Sequence, residues 1–96
     1  MIAAYLRTAI ILAMNSKHRK IFDAVFAEPV NGNISWSKIE ALLISVGCRF
    51  IEGSGSAVTF EWQGKKANFH RPHPGKEALR YRVKAVREFL LHIGVE

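Results

Sequence analysis

The sequence has one cysteine, no hydrophobic run long enough to span a membrane and no nucleotide-binding glycine motif. Cys48 has no second cysteine among the 96 residues for an internal disulfide, which is usual in a reducing cytosol. The apolar opening, MIAAYLRTAIILAM, contains Arg7, is too short for a bilayer and makes a poor signal peptide. Neither a P-loop nor a dinucleotide fingerprint is present. We therefore expect a cytoplasmic protein that needs no disulfide and uses neither of these nucleotide-binding motifs.

The composition is that of one folded domain. Hydrophobic residues make up 49% of the chain and charged residues 23%, which is enough apolar surface for a modest core. Two interpretations of residues 1–13 remain open: a small extra helix, or an extension upstream of a natural start at Met14. We favour the second, because a regular pattern begins directly after Met14, and we assign residues 14–96 to a single domain.

Three segments have the apolar spacing of amphipathic helices. We expect the first helix to be capped by Ser16, and the second to be capped by Ser35 and to end at Gly47. The third is predicted to run from about Gly75 or Lys76 to Ile93. The residues expected to face the core are Ile21, Phe22, Val25 and Phe26 in the first helix, Trp36, Ile39, Leu42, Leu43 and Val46 in the second, and Leu79, Val83, Val86, Phe89 and Leu90 in the third.

Between the second and third helices the sequence predicts three antiparallel strands. Residues 49–52 are expected to form the first strand, and a two-residue turn at Gln63-Gly64 joins the other two. Counting back from this turn places Ala57 opposite His70, and it puts the apolar and polar side chains on opposite faces. The fold class expected is α+β: a two-layer domain with a three-stranded antiparallel sheet packed by helices on one face.

The positive charge is concentrated near the C-terminus. The formal net charge is +6, and eight of the 14 basic side chains lie within residues 65–88, against two glutamates. Such a concentration indicates a polyanionic partner, although a solvated helix face is the open alternative. Candidate RNA-binding residues in this segment are Lys66, Arg71, Lys76, Arg80 and Lys84.

Two histidines, His70 and His73, flank Arg71-Pro72. No further set of cysteines or histidines completes a zinc site, so we expect no metal. One interpretation is structural, as loop histidines bonded to the backbone. The other is catalytic, because RNA is cut without a metal when a base activates the ribose 2′-hydroxyl and a cation stabilises charge on the phosphate. Arg71 or Lys76 would supply that cation.

The stretch Gly53-Ser54-Gly55-Ser56 is either a plain connection between strands or a phosphate-binding loop. Glycine and serine expose backbone N–H groups and hydroxyls where a phosphate approaches closely. On the second interpretation, Ser54 and Ser56 contact the RNA.

Taken together, these features resemble the HicA toxin family. The resemblance rests on the helix ending at Gly47, the Gly53-Ser54 turn, the alternating hairpin, the exit His73-Pro74-Gly75-Lys76-Glu77 and the closing helix to Gly94. It covers about residues 36–95, and residues 17–34 look like the extra N-terminal helix of a longer member. It implies a fold like that of a double-stranded-RNA-binding domain, mRNA cleavage without a cofactor, and restraint by a HicB-type antitoxin.

One position departs from the family pattern. The family carries a catalytic histidine just after the Gly-Ser turn, where this chain has Gly55 or Ser56. His73 matches the family's His-Pro exit, whereas His70 lies opposite Ala57 and within reach of the vacant position. We expect His70 to replace the missing imidazole. The alternative is an RNA-binding module with weak or no catalytic activity.

Overall fold

The computed structural model describes residues 14–95, so the interpretations of residues 1–13 lie outside the described part. No helix among the described residues is long and apolar enough to cross a membrane. In chain order the described elements are α1 (Ser16–Val25), α2 (Trp36–Ser45), β1 (Arg49–Glu52), β2 (Ala57–Trp62), β3 (Lys65–His70) and α3 (Arg80–His92).

The sheet has the order β1-β2-β3 with both pairs antiparallel. Its register is the predicted one, from Trp62 opposite Lys65 at the turn to Ala57 opposite His70 at the other end. The turn residues Gln63 and Gly64 have φ values of 49° and 84°. These left-handed conformations give the turn a twist that matches the strands, which explains why the short turn determined the register.

The core lies between one face of the sheet and the three helices, which confirms the α+β two-layer fold. Phe60 from β2 is fully buried and packs against Phe50 and Phe69, at ring-centroid distances of 5.5 Å and 6.4 Å. The opposite sheet face is polar, and on it the hydroxyl of Thr59 donates a 2.6 Å hydrogen bond to the side chain of Asn68. The predicted helix stripes are largely confirmed, with fully buried side chains at Val25, Ile39, Leu42, Leu43, Val83, Val86 and Leu90.

Helix α3 begins later than predicted, at Arg80 rather than near Gly75. The chain before it is held extended, because Lys76 O accepts from Trp36 N at 2.9 Å and Ala78 N donates to Ile34 O at 2.8 Å. Ala78 is consequently buried and Leu79 is 57% exposed. The prediction that Leu79 faces the core is therefore wrong, since pairing with a distant segment takes the backbone groups that a helix start would use.

The helix caps also differ in detail from the expectation. Asn15, not Ser16, caps α1, because its side chain accepts a 2.9 Å hydrogen bond from His18 N. Ser35 occupies the cap position of α2 but makes no side-chain bond to the helix backbone. Gly47, with φ of +105°, follows the end of α2 as predicted.

Cys48 is the small buried residue that the sequence indicated, with 6% of its surface exposed. Burial, with a smaller contribution from the charge of Glu61, raises the pKa of its thiol to about 11. The folded protein therefore keeps Cys48 protonated at neutral pH, where it packs as an apolar side chain.

We expect Cys48 to resist alkylation at pH 8 in the folded state and to react readily in urea. Stability should also fall between about pH 9 and pH 11, because the unfolded chain releases this proton earlier than the folded one. Comparing urea unfolding of the wild type and Cys48→Ala across this range isolates the contribution. Equal alkylation rates in the folded and unfolded states would contradict the assignment.

Candidate functional site

The hairpin ends in a serine–histidine pair. His70 is the last residue of β3, and its Nδ1 lies 3.3 Å from the hydroxyl oxygen of Ser56. The carbonyl of Ser56 also accepts a 2.9 Å hydrogen bond from Arg71 N, which continues the pairing by one residue. Since Nδ1 faces Ser56, Nε2 is the ring nitrogen left to interact with a ligand. His70 and Ser56 are both exposed.

The loop before Ser56 requires glycine at its first position. Gly53 N donates to Ala57 O at 2.9 Å, and a Cβ on Gly53 would lie 3.0 Å from both the Cβ and the carbonyl oxygen of Ala57. Gly55 has φ of +61° in open space, a backbone conformation that favours glycine. The two glycines thus close a tight loop that brings Ser56 next to His70.

A carboxylate from α2 fastens the chain that leaves the hairpin. Arg71 Nε donates to Glu40 Oε2 at 2.9 Å, and a second guanidinium nitrogen lies 3.4 Å from Oε1. The same Oε2 accepts from the indole nitrogen of Trp36. Arg71 also reaches Glu52 at 3.3 Å and lies 5.5 Å from the centre of the Phe50 ring. The hydrogen bond that Arg71 donates to Glu40, followed by the charges of Glu40 and Glu52, raises the pKa of Arg71 above its usual value.

This network changes the interpretation of Arg71. The sequence presented it as a cation for phosphate, but two carboxylates already balance its charge. Phe69, the residue before His70, is buried and packs against Trp36 with tilted rings whose centroids are 5.3 Å apart. His70 is therefore held between two anchored residues while its own ring stays exposed.

The other predicted site residues are spread over the surface. His73 is exposed, and among the described residues no hydrogen bond joins it to His70 or Ser56. Lys66 shares the polar sheet face with His70 but lies four residues away along β3, about 13 Å. Ser54 is exposed in the loop before β2, and its carbonyl accepts from Ala57 N at 3.1 Å. The structure thus brings Ser56 to His70, but it does not gather the remaining predicted residues around them.

Two arginines of the basic segment serve the fold. Arg80 Nε donates to Val30 O at 3.2 Å, and its side chain covers Gly32. Arg87 donates at 3.0 Å to the carbonyls of both Val25, the last residue of α1, and Ala27, which follows the helix. Lys76 and Lys84, two other predicted RNA-binding residues of this segment, are exposed. Their ammonium groups can therefore contact a ligand.

A shallow depression of about 290 Å³ adjoins the hairpin exit. Arg71, Pro72 and Lys76 form one side of it, and Ser35, Trp36 and Ser37 from the start of α2 form the other. Within residues 14–95, no three His, Cys, Asp or Glu side chains are grouped closely enough to hold a metal ion.

Glu40 is part of the site but is not among the residues predicted from the sequence. A signal for it exists, since Glu40 follows Trp36 by four residues and so lies on the same side of a helix. That spacing shows that the indole and the carboxylate are neighbours. The spacing does not indicate the contact between Glu40 and Arg71, because Arg71 is 31 residues away in the sequence.

Comparison with known protein families identifies the class of this protein. Residues 36–95 match the family model of the HicA toxin of bacterial toxin–antitoxin systems. This match spans more than half of the chain and covers α2, the sheet and α3. No curated protein and no solved structure gives a significant match. The chain belongs to the HicA toxin family, whose members are the toxins of toxin–antitoxin pairs and are known to cleave mRNA.

We expect Glu40→Ala to destabilise the domain more than Glu52→Ala. Removal of Glu40 leaves the buried indole N–H of Trp36 without its acceptor, which costs about 1–3 kcal/mol. Glu52 also contacts Arg71, but its side chain is 63% exposed, so its loss should cost little. Urea unfolding of the two variants measures the difference, and equal unfolding midpoints would contradict the proposed anchor.

Proposed function

We propose that this protein is an endoribonuclease that cleaves mRNA without a metal ion and arrests growth when its antitoxin is absent. The observation that supports this most is the exposed Ser56–His70 pair, held on a hairpin whose neighbouring residues are anchored on α2. The resemblance to the family assigns its catalytic histidine to the position of Gly55 or Ser56, so the pair includes or adjoins that position. An imidazole exchanges protons near neutral pH, which suits it to acid–base catalysis.

In the proposed reaction, neutral His70 accepts the proton of a ribose 2′-hydroxyl through Nε2. The 2′-oxygen then forms a bond to the adjacent phosphorus as the bond to the 5′-oxygen breaks. The leaving 5′-oxygen takes up a proton, from the imidazolium, from His73 or from water. The products are a 2′,3′-cyclic phosphate and a free 5′-hydroxyl.

Ser56 and nearby cations complete the proposed site. The hydroxyl of Ser56 orients the imidazole through Nδ1 and contacts the phosphate. Lys76 supplies positive charge from the depression beside Arg71, while Arg71 itself anchors the chain. Ser54, Lys66, Arg80 and Lys84 bind flanking phosphates, although part of the Arg80 guanidinium is already bonded to Val30 O.

A second candidate function is a non-catalytic RNA-binding module of the same fold. It is favoured by the loop position after Gly53-Ser54, where Gly55 has no side chain and Ser56 carries only a hydroxyl. Phosphate and 2′-hydroxyl contacts would then provide the affinity.

We also propose a HicB-type antitoxin with an acidic surface as the protein partner. The exposed lysines, Lys76 and Lys84, and the exposed ring of His70 form the complementary surface, and opposite charges would speed association. Arg87 takes a smaller part than its charge implies, because its guanidinium is bonded to backbone carbonyls at the C-terminal end of α1. A small reading frame next to this gene would support the pairing.

We expect His70→Ala to reduce RNA cleavage about 10²- to 10⁴-fold, the usual contribution of general acid–base catalysis. His92→Ala is the matched control, because His92 is an exposed histidine at the far end of α3. His73→Ala tests the second assigned histidine, and a comparable loss would give it a direct part in proton transfer. Growth arrest in cells that lack the antitoxin gives the corresponding readout in vivo.

Analysis of the RNA ends separates the two candidate functions. Fragments with 2′,3′-cyclic phosphates that persist in EDTA support the ribonuclease. Intact RNA that is shifted on a gel supports the binding module. Equal growth arrest by the wild type and His70→Ala would contradict the catalytic role of His70. Loss of cleavage on addition of EDTA would contradict a metal-free mechanism.

A further inference from the structure

A second and larger cleft lies between helices α1 and α2. Its volume is about 630 Å³, and Lys17, Lys20 and Lys38 line it together with His18 and Ser37. No acidic residue belongs to its lining, and Ile21 and Ala41 supply apolar surface. Three lysines and a histidine therefore line one concave surface.

This cleft adjoins the depression at the hairpin exit. Ser37 lines both of them, so the two concave surfaces meet at the first turn of α2. A path consequently leads from Lys76 and from Arg71, the residue after His70 in the chain, past Ser37 to the three lysines. A strand bound at His70 would enter the lysine cleft after crossing Ser37.

The charges around the cleft lack compensation within the part of the chain that the structure describes. There, no carboxylate forms an ion pair with Lys17, Lys20 or Lys38. In contrast, Arg19, on the same helix but outside the cleft, pairs with Asp23 at 3.4 Å. Like charges that share a concave surface repel one another, and a bound polyanion removes this cost.

We propose that the cleft binds the sugar–phosphate backbone of single-stranded RNA that extends from the cleavage site at His70. This inference rests on the proposed ribonuclease function and adds a substrate-binding region to it. Its α1 residues lie outside the 36–95 family match, so helix α1 lengthens the RNA site beyond the matched domain. The three lysines contact phosphates, while Ile21 and Ala41 lie against ribose or base.

The test uses Lys17→Gln, Lys20→Gln and Lys38→Gln, combined in a His70→Ala background that does not consume the RNA. Binding of fluorescent single-stranded RNAs of about 4 and about 16 nucleotides is measured across a salt series. Each lost phosphate contact lowers the salt slope by about 0.7, or about fivefold in affinity at 0.1 M salt. We expect about a hundredfold loss for the long RNA and little change for the short one. Each single variant should lose about fivefold.

A charge-matched variant provides the control. Arg19→Gln, Arg49→Gln and Arg82→Gln together remove the same charge from residues that do not line the cleft. A loss of long-RNA binding equal to that of the lysine variant would assign the effect to net charge and overturn the proposal. Unchanged RNA binding with weakened binding of the acidic antitoxin would make the cleft a protein-docking surface and also overturn it. Circular dichroism confirms that both variants are folded.

The outcomes separate this inference from the ribonuclease proposal. If the wild type, which contains His70, leaves RNA intact but RNA binding depends on the cleft lysines, the proposed role of the cleft is supported. The ribonuclease proposal is then overturned. Normal cleavage by the wild type, together with no length-dependent loss of RNA binding in the lysine variant, overturns the proposed role of the cleft. The ribonuclease proposal is then unaffected.

Discussion

The carboxylate of Glu40 is the contact on which the geometry of the site depends. It accepts hydrogen bonds from the indole of Trp36 on its own helix and from the guanidinium of Arg71 beyond the hairpin. Because Trp36 also packs against Phe69, both neighbours of His70 are fastened to one helix turn. The backbone that carries the exposed imidazole is therefore held in place, although among the described residues the ring itself forms one hydrogen bond, with Ser56.

The positive charge of the domain has two physical uses. Arginine presents several donors in a planar fork, which suits it to bridging carbonyls and carboxylates. Arg71, Arg80 and Arg87 use that fork to join segments that are distant in the sequence. Lysine carries a compact, strongly hydrated charge, and the lysines around the α1–α2 cleft remain at the surface. The basic character of the sequence is thus shared between holding the fold together and offering positive charge to a partner.

The register of the hairpin is specified by residues that are close together in the sequence. This register follows from a two-residue turn and an alternation of apolar and polar side chains from Val58 to Trp62 and from Lys66 to His70, all within 14 consecutive residues. The start of α3, in contrast, is not specified by neighbouring residues alone. Residues from Lys76 to Ala78 have an acceptable helical pattern, but they pair with the chain around Ser35 instead. No local pattern contains that pairing, because its two partners are about 40 residues apart in the sequence.

The sequence alone determined the α+β class, the strand register, the buried helix faces other than Leu79, and the proximity of Ser56 to His70. These properties depend on spacing within single elements or across one tight turn, so neighbouring residues encode them. Tertiary structure alone decided which cations remain available. It placed Glu40 and Glu52 against Arg71, and it brought lysines from two separate helices to one cleft. Such pairings depend on how helices pack against the sheet, which brings together groups that the sequence keeps far apart.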